Sequence, residues 1–230
     1  MTTKELDSQF DKLLGGLDSV IRTLPDETPE EIAERENAIV EQNARAVISR
    51  RITASLGDST GWPSKYRGAV ETPPQGAEWL AAFTVAQEAM GKNAIIVFYG
   101  SRGSGKTRMA AELAMIRGGS RYRTAMRFFL EIRATFKSDS KKSEMDILDE
   151  LTKSDLLILD EIQERGETSF ENRLLTHVID VRYSNNRPTI MIANLPKKEL
   201  AESLGASIID RARENGKSIE FNWPSYRSQS

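Results

Sequence analysis

The sequence predicts an α/β fold with a parallel sheet, and three observations support this prediction. Near-continuous apolar runs have the composition of strands that are buried on both faces, at 93–99, 155–160 and 189–193. Helical patterns alternate with these runs, as in a three-layer sheet with crossover helices, at 77–91, 105–117, 169–183 and 197–214. A glycine-rich segment follows the first run, at the carboxyl edge where such sheets bind ligands. Shorter elements are predicted as a strand at 124–128, a helix at 129–136 and a strand at 219–221.

Length and composition restrict the possible classes of protein. The chain has 230 residues, 39% of them hydrophobic and 29% charged, which suits one globular domain plus an appendage. Because it has no cysteine and one histidine, His177, thiolate chemistry and multi-histidine metal sites are excluded. The sequence contains neither an apolar run long enough to span a bilayer nor the apolar core of a signal peptide, so we expect a cytoplasmic protein.

Residues 1–59 are predicted to form a small helical module. They are acidic, with twelve Asp/Glu against seven Lys/Arg, and apolar residues between 6 and 17 share one helical stripe. A second helix is predicted to start at Thr28-Pro29-Glu30-Glu31, with Thr28 and Glu31 as a capping box, and to run towards Arg51. A module that docks a partner and a partly ordered tail both agree with this pattern. A linker is predicted at 60–76 and an ATPase domain at 77–230. Within the linker, Trp62, Tyr66 and Arg67 could either pack near the adenine pocket or anchor the linker to the core.

The glycine-rich segment GSRGSGKT has the spacing of a phosphate-binding loop. It consists of Gly100, Ser101, Arg102, Gly103, Ser104, Gly105, Lys106 and Thr107. Glycines allow successive backbone N–H groups to face the phosphates, the lysine reaches the β- and γ-phosphates, and the threonine hydroxyl is a Mg²⁺ ligand. The segment lies between a predicted strand and a predicted helix, which is the context that the motif requires. The sequence therefore predicts a P-loop nucleoside triphosphatase that binds ATP and Mg²⁺.

Polar residues at two other strand ends complete the predicted site. In DLLILDE an apolar strand delivers Asp160 to the metal and places Glu161 to orient or deprotonate the attacking water. Asn194 follows the next apolar run and would lie beside the γ-phosphate, although an ordinary turn residue is the alternative.

Two basic features suggest further contacts. Arg211 and Arg213 end a predicted helix, where an arginine can reach a neighbouring subunit's ATP, although solvated arginines are common. Residues 117–142 combine eight Lys/Arg with interleaved aromatic residues, Tyr122, Phe128, Phe129 and Phe136. Positive charge with accessible rings favours binding of a single strand; a solvated face over core aromatics is the alternative.

Taken together, the motifs resemble those of the DnaC family, the AAA+ replicative helicase loaders of bacteria and phages. The resemblance covers about residues 60–230 and includes GSRGSGKT, DLLILDEI, the DVRY and RPTI segments between 180 and 190, IIDR at 208–211 and FNWPSYR at 221–227. It implies that the N-terminal module binds a hexameric replicative helicase, which is delivered to single-stranded DNA, and that the ATPase domain self-associates.

The resemblance also assigns roles by position. It implies Lys106 and Thr107 in the phosphate loop, Asp160 and Glu161 as the metal and water acids, and three further residues: Asn194 as first sensor, Arg211 as arginine finger and Arg227 as second sensor. The chain departs from the family in its acidic, cysteine-free N-terminal module, and the three residues after Arg227 predict that a full helical lid is lacking.

Two other functions stay open at this point. An IstB-type transposition helper would have the same ATP site but act on duplex DNA. A nucleotide-gated adaptor would bind ATP and hardly hydrolyse it.

Overall fold

The computed structural model describes residues 28–66 and 76–226 of the chain. The chain divides into two compact units, Met1–Val47 and Ile48–Ser230. Helix α1 (Pro29–Leu56) begins with the predicted capping box, in which the Thr28 amide donates to Glu31 Oε2 at 2.7 Å and the Glu31 amide donates to Thr28 Oγ1 at 3.3 Å. The helix predicted between residues 6 and 17 lies outside the described residues. No helix within the described ranges is long and apolar enough to cross a membrane.

The second unit is built on a five-stranded sheet in the order β2-β3-β4-β1-β5. Every neighbouring pair is parallel, as predicted. The three central strands are apolar and almost entirely buried because helices cover both faces of the sheet. The strands are β1 (Ile95–Gly100), β2 (Ser120–Thr124), β3 (Leu156–Asp160), β4 (Thr189–Ile192) and β5 (Gly216–Phe221).

Helices cover the two faces and enclose two separate apolar cores. Alternate residues of β1 show the division, since Ile96 and Phe98 face one core and Ile95 and Val97 the other. The first core lies under α2 (Ala77–Gly91) and α3 (Lys106–Arg117). The second lies under the remaining helices, which are α4 (Ala125–Ala134), α5 (Glu144–Lys153), α6 (Ser169–Ser184), α7 (Lys197–Leu204) and α8 (Ala206–Glu214). The predicted three-layer α/β fold is confirmed.

Two secondary-structure predictions need correction, and one helix was not predicted. The strand predicted at 124–128 is β2 at Ser120–Thr124, and α4 starts at once because the Thr124 hydroxyl accepts from the Arg127 amide. The helix predicted over 197–214 is interrupted at Gly205, which has a φ of 78°. Helix α5 was not predicted, although Ser143 and Asp146 form a capping box at its start.

The described part of the predicted linker belongs to the folded core. Trp62 is 1% exposed, and its ring stacks on Tyr122 at a centroid distance of 4.5 Å. Leu56, at the end of α1, is also fully buried in the first core. The division between the two units therefore falls before residue 48 rather than after residue 59, because burying these large apolar side chains stabilises the second unit.

Candidate nucleotide-binding site

The phosphate-binding loop joins β1 to α3 in a conformation that only glycine adopts without strain. Gly100, Gly103 and Gly105 have φ values of 117°, 79° and 90°. A Cβ at Gly100 would lie 2.4 Å from the carbonyl oxygen of Phe221, and one at Gly103 would lie 2.0 Å from Ser225 Oγ. The loop leads directly into the amino terminus of α3, where free backbone N–H groups favour binding of an anion.

Lys106 lies inside this loop. Its side chain is buried, and Nζ donates to the carbonyl oxygens of Gly100 at 3.0 Å and Ser101 at 2.6 Å. The Ser104 hydroxyl donates to the same Ser101 carbonyl at 2.7 Å. These bonds hold the positive charge at the centre of the loop, within reach of bound phosphates.

Asp160 ends β3 opposite the loop and accepts three hydrogen bonds. The hydroxyls of Thr107 and Tyr122 both donate to Oδ2, at 2.8 Å and 2.9 Å. The amide of Glu161 donates to Oδ1 at 2.7 Å. Burial raises the pKa of Asp160, while the hydrogen bonds from Thr107 and Tyr122 oppose that rise. Sequence reasoning missed Tyr122 in this role, because its aromatic ring suggested nucleic-acid contact instead.

Glu161 follows in a left-handed backbone conformation, with a φ of 53°. This conformation is uncommon for a residue with a side chain and is concentrated at functional sites. Its side chain lines the cleft above the loop. Burial, with the nearby charges of Asp160 and Glu164, raises the pKa of Glu161, which is the direction expected of a general base.

An open cleft of about 770 Å³ brings most of the predicted site residues together. Its lining includes the loop from Arg102 to Thr107, both acids, Asn194 and Tyr66. Arg102 reaches across to Glu164 at 3.2 Å. Gln163 Oε1 accepts a hydrogen bond from the backbone N–H of Asn194 at 3.0 Å, and sequence reasoning also missed this positioning contact.

The segment after β5 lies against the loop. Trp223 Nε1 donates to the Ser104 carbonyl oxygen at 2.9 Å, and the Tyr226 amide donates to that of Gly103 at 3.0 Å. Arg227, predicted as the second sensor, lies outside the described residues.

Arg211 is on α8, away from this cleft. Its Nε lies 3.0 Å from Asp180 Oδ1, and Nη1 donates to the Ser207 carbonyl oxygen at 2.8 Å. The structure therefore does not bring Arg211 to the loop of its own chain, and its role as an arginine finger stays a prediction.

The predicted single-strand surface at 117–142 needs correction. Tyr122, Phe128 and Phe129 are buried in the two cores, whereas Phe136 is 64% exposed. Most of the arginines there form ion pairs with carboxylates: Arg121 and Arg123 with Glu150, Arg123 and Arg127 with Glu131, and Arg133 with Glu171. Stacking of bases on these three rings is excluded by their burial, because Tyr122 packs into the first core from β2 and α4 turns Phe128 and Phe129 into the second.

The hydroxyl of Thr107 at the end of the loop and the carboxylate of Asp160 opposite it fit Mg²⁺. Thr107 Oγ1 and Asp160 Oδ2 are 2.8 Å apart, and both are oxygen ligands of the kind that Mg²⁺ prefers. A cation between the buried Asp160 carboxylate and the phosphates of a bound nucleotide would also reduce the repulsion between these two negative charges. Within the described residues, no group of three or more acidic, histidine or cysteine side chains forms another metal site.

The strand order β2-β3-β4-β1-β5 and the glycine loop that faces a strand-end acid together have the arrangement of a P-loop nucleotide-binding fold of the AAA+ class. The family of IstB-like ATP binding proteins matches residues 65–230, and the chain belongs to that family. The resemblance to the DnaC/IstB family is thereby confirmed.

Individual relatives agree with this assignment. The replicative helicase loader DnaC of Escherichia coli (strain K12) is 34% identical over 148 residues, which cover 62% of this chain and 60% of that protein. DnaC of Buchnera aphidicola subsp. Baizongia pistaciae is 33% identical over 141 residues, covering 59% and 57%. The chain thus spans about 60% of the length of the E. coli relative.

Solved structures show the same fold. A crystal structure of the DnaC helicase loader has a TM-score of 0.56 at 18% identity and covers 69% of this chain and 99% of that chain. AMPPCP-bound DnaA from Aquifex aeolicus has a TM-score of 0.57 at 23% identity, covering 69% and 50%. At these identities the likeness supports the fold alone.

Proposed function

We propose that the chain is an ATP-dependent loader that binds a hexameric replicative DNA helicase and helps to place it on single-stranded DNA during replication initiation. The observation that carries the proposal is the pairing of Thr107 with Asp160 beside Lys106, in a chain whose relatives include replicative helicase loaders. That pairing supports ATP binding, and the relatives' names suggest the task that ATP binding serves.

The residues around the cleft have separate roles in the proposed ATP step. Loop amides and Lys106 bind the phosphates, and Thr107 and Asp160 hold Mg²⁺. When bound there, Mg²⁺ would supply positive charge that neutralises the phosphate oxygens. Glu161 accepts a proton from the attacking water, and Asn194 contacts the γ-phosphate.

Self-association would bring Arg211 of one subunit to the cleft of its neighbour. Arg211 lies on α8 with a side chain that is 26% exposed, outside the cleft of its own chain. We propose that it acts in trans on a neighbouring subunit's ATP, with Arg227 as the second sensor, since an arginine stabilises charge that develops during phosphoryl transfer.

The N-terminal module would dock the helicase. Ile39, Val40 and Val47 on α1 are all about half exposed or more, and exposed apolar side chains on one helix support a docking role. The exposed Phe136 beside Lys137 supports contact with single-stranded DNA at a smaller surface than the sequence predicted.

Nucleotide binding and hydrolysis are tested with two substitutions. Lys106→Ala should weaken ATP binding at least tenfold, because the buried ammonium group inside the loop is lost. Glu161→Gln should leave binding intact and lower hydrolysis by about 10²–10⁴-fold, as expected when a general base is removed. Equal ATP affinity of wild type and Lys106→Ala would overturn the proposed site.

The loading role is tested by measuring the mass of complexes formed with hexameric replicative helicases, with and without ATP. A complex whose formation or release depends on ATP is the expected result. If no helicase binds under either condition, the loader proposal fails while the ATP site stands. If Glu161→Gln binds ATP and loads the helicase as well as wild type does, the chain is instead a nucleotide-gated adaptor.

A transposition helper ATPase is the second candidate, favoured by the match of residues 65–230 to the IstB-like family. This function requires assembly on duplex DNA. Binding of fluorescent oligonucleotides in single- and double-stranded form separates the two candidates, because the loader is expected to prefer the single strand.

A further inference from the structure

Tyr122 makes a buried contact with the acid of the nucleotide site. It lies in β2, paired in register with Ile158 of the neighbouring β3. Its hydroxyl donates to Asp160 Oδ2 at 2.9 Å, and both side chains are almost fully buried. The contact therefore involves a group that is predicted to hold Mg²⁺ and is shielded from solvent.

The three donors to Asp160 orient its carboxylate. Oδ2 accepts from Thr107 and Tyr122, and Oδ1 accepts from the Glu161 amide. An ionised carboxylate offers about four lone-pair sites, so these bonds leave roughly one for a ligand in the cleft. Without the Tyr122 hydroxyl, the plane of the carboxylate would be fixed by fewer contacts.

Tyr122 is itself held rigidly. The ring of Trp62 stacks on it at 4.5 Å with an interplanar angle of 29°. Trp62 Nε1 donates to Ser120 Oγ at 2.9 Å, and Ser120 Oγ donates to the carbonyl oxygen of Ser55 in the last turn of α1. Because the tyrosine ring is enclosed between the core and this indole, its hydroxyl oxygen is held within hydrogen-bond distance of Asp160.

We propose that Tyr122 is a positioning residue, which fixes the carboxylate of Asp160 in the orientation that accepts the magnesium of bound ATP. The inference rests on the proposed ATP site. Groups that hydrogen-bond to metal ligands orient those ligands, and removing them typically lowers metal affinity by 10–100-fold. If Tyr122 only filled the core, removing its hydroxyl would leave the affinity for the metal unchanged.

Tyr122→Phe tests the proposal, because phenylalanine keeps the ring under Trp62 and removes only the hydroxyl. The measured quantity is the ratio of two dissociation constants for methylanthraniloyl-ATP, one in EDTA and one in excess Mg²⁺. In wild type we expect this ratio to exceed about ten, since the metal should strengthen nucleotide binding, and a wild-type ratio of one would overturn the inference. We expect the ratio to fall roughly tenfold in Tyr122→Phe, with little change in the metal-free dissociation constant.

Tyr99→Phe is the matched control. Tyr99 is a buried tyrosine in the same sheet, and its hydroxyl interacts with Glu220 rather than with Asp160. The control should keep the wild-type ratio. In an Asp160→Asn background, Tyr122→Phe should cause no further change, because the proposed effect passes through that carboxylate.

The outcomes separate this inference from the proposed function. If wild type fails to bind the nucleotide at all, the proposed function fails. If wild type binds and Tyr122→Phe keeps the full magnesium effect, only the role of Tyr122 is overturned. A crystal structure of wild type with Mg²⁺ and a non-hydrolysable ATP analogue gives a second test without a variant: the hydrogen bond between Tyr122 and Asp160 should persist, and a hydroxyl turned away from the carboxylate would refute the proposal.

Discussion

Arg182 is fully buried between α5 and β4, and replacing it with methionine should destabilise the ATPase domain substantially. Nη1 donates to the Leu151 carbonyl oxygen at 2.7 Å, Nη2 to that of Pro188 at 2.6 Å, and Nε to Thr189 Oγ1 at 2.8 Å. Among the described residues no carboxylate forms an ion pair with it, although the charge of Asp155 favours its protonated form. Burial lowers the pKa of Arg182 to about 9, so the hydrogen bonds offset a real cost of desolvation.

The expected magnitude follows from these contacts. Hydrogen bonds from charged groups contribute about 1.5 kcal/mol each at the lower end, so the three shortest bonds amount to about 4–5 kcal/mol. Methionine removes the cost of burying a charge, but it leaves carbonyl oxygens at the end of α5 with fewer donors. We expect a net loss of about 3 kcal/mol in the free energy of unfolding, or roughly 6–12 °C in Tm.

Urea denaturation followed by circular dichroism measures this loss. Arg173→Met is the matched control, because Arg173 lies on the same helix and is exposed. The control should change the free energy of unfolding by no more than about 0.5 kcal/mol. If Arg182→Met were as stable as Arg173→Met, the argument that these hydrogen bonds stabilise the domain would be wrong.

Three further predictions concern the loop, the core and a helix start. Gly103→Ala should weaken ATP binding at least tenfold, because its Cβ would lie 2.0 Å from Ser225 Oγ; Gly91→Ala, with open space around it, should not. Trp62→Ala should lower the free energy of unfolding by about 3–5 kcal/mol in urea denaturation, which a mere linker residue would not do. Hydrogen bonds within the capping box lower the pKa of Asp146, so its stabilising effect is present at neutral pH and is lost as pH falls below the ordinary value of 3.8. The protection factor of amides in the first turn of α5, which is the intrinsic exchange rate at a given pH divided by the observed rate, should therefore fall at low pH in wild type, and in Asp146→Asn it should be low already at neutral pH.

The sequence predicted the parts of the fold that depend on local pattern. Apolar runs identified β1, β3 and β4 because these strands are buried on both faces, and GSRGSGKT located the loop because its backbone requires glycine. The β2 and α4 region was placed wrongly, since aromatic residues in a basic segment are compatible with both a core and an exposed surface. Only tertiary contacts decide that question, as the burial of Phe128 under the sheet shows.

The site residues that the sequence did not predict were missed for the same reason. The side chains of Tyr122 and Gln163 contact distant parts of the chain, the Asp160 carboxylate and the backbone amide of Asn194, and no spacing along the chain indicates such contacts. Trp62 was open to two interpretations, because its partner Ser120 is 58 residues away in the chain. Arg182 carried no sequence signal, since an arginine in a helix is ordinarily expected to be solvated.

The three tryptophans of the chain are all buried close to the nucleotide site. Trp223 donates to the phosphate loop, Trp79 Nε1 would lie 3.1 Å from a Cβ at Gly105, and Trp62 stacks on the tyrosine that contacts Asp160. Indole emission responds to nearby charge and polarity. The unlabelled protein therefore contains its own optical probe, and ligand entry can be followed by intrinsic fluorescence, with single tryptophan-to-phenylalanine variants reporting separately on the loop and on the acid.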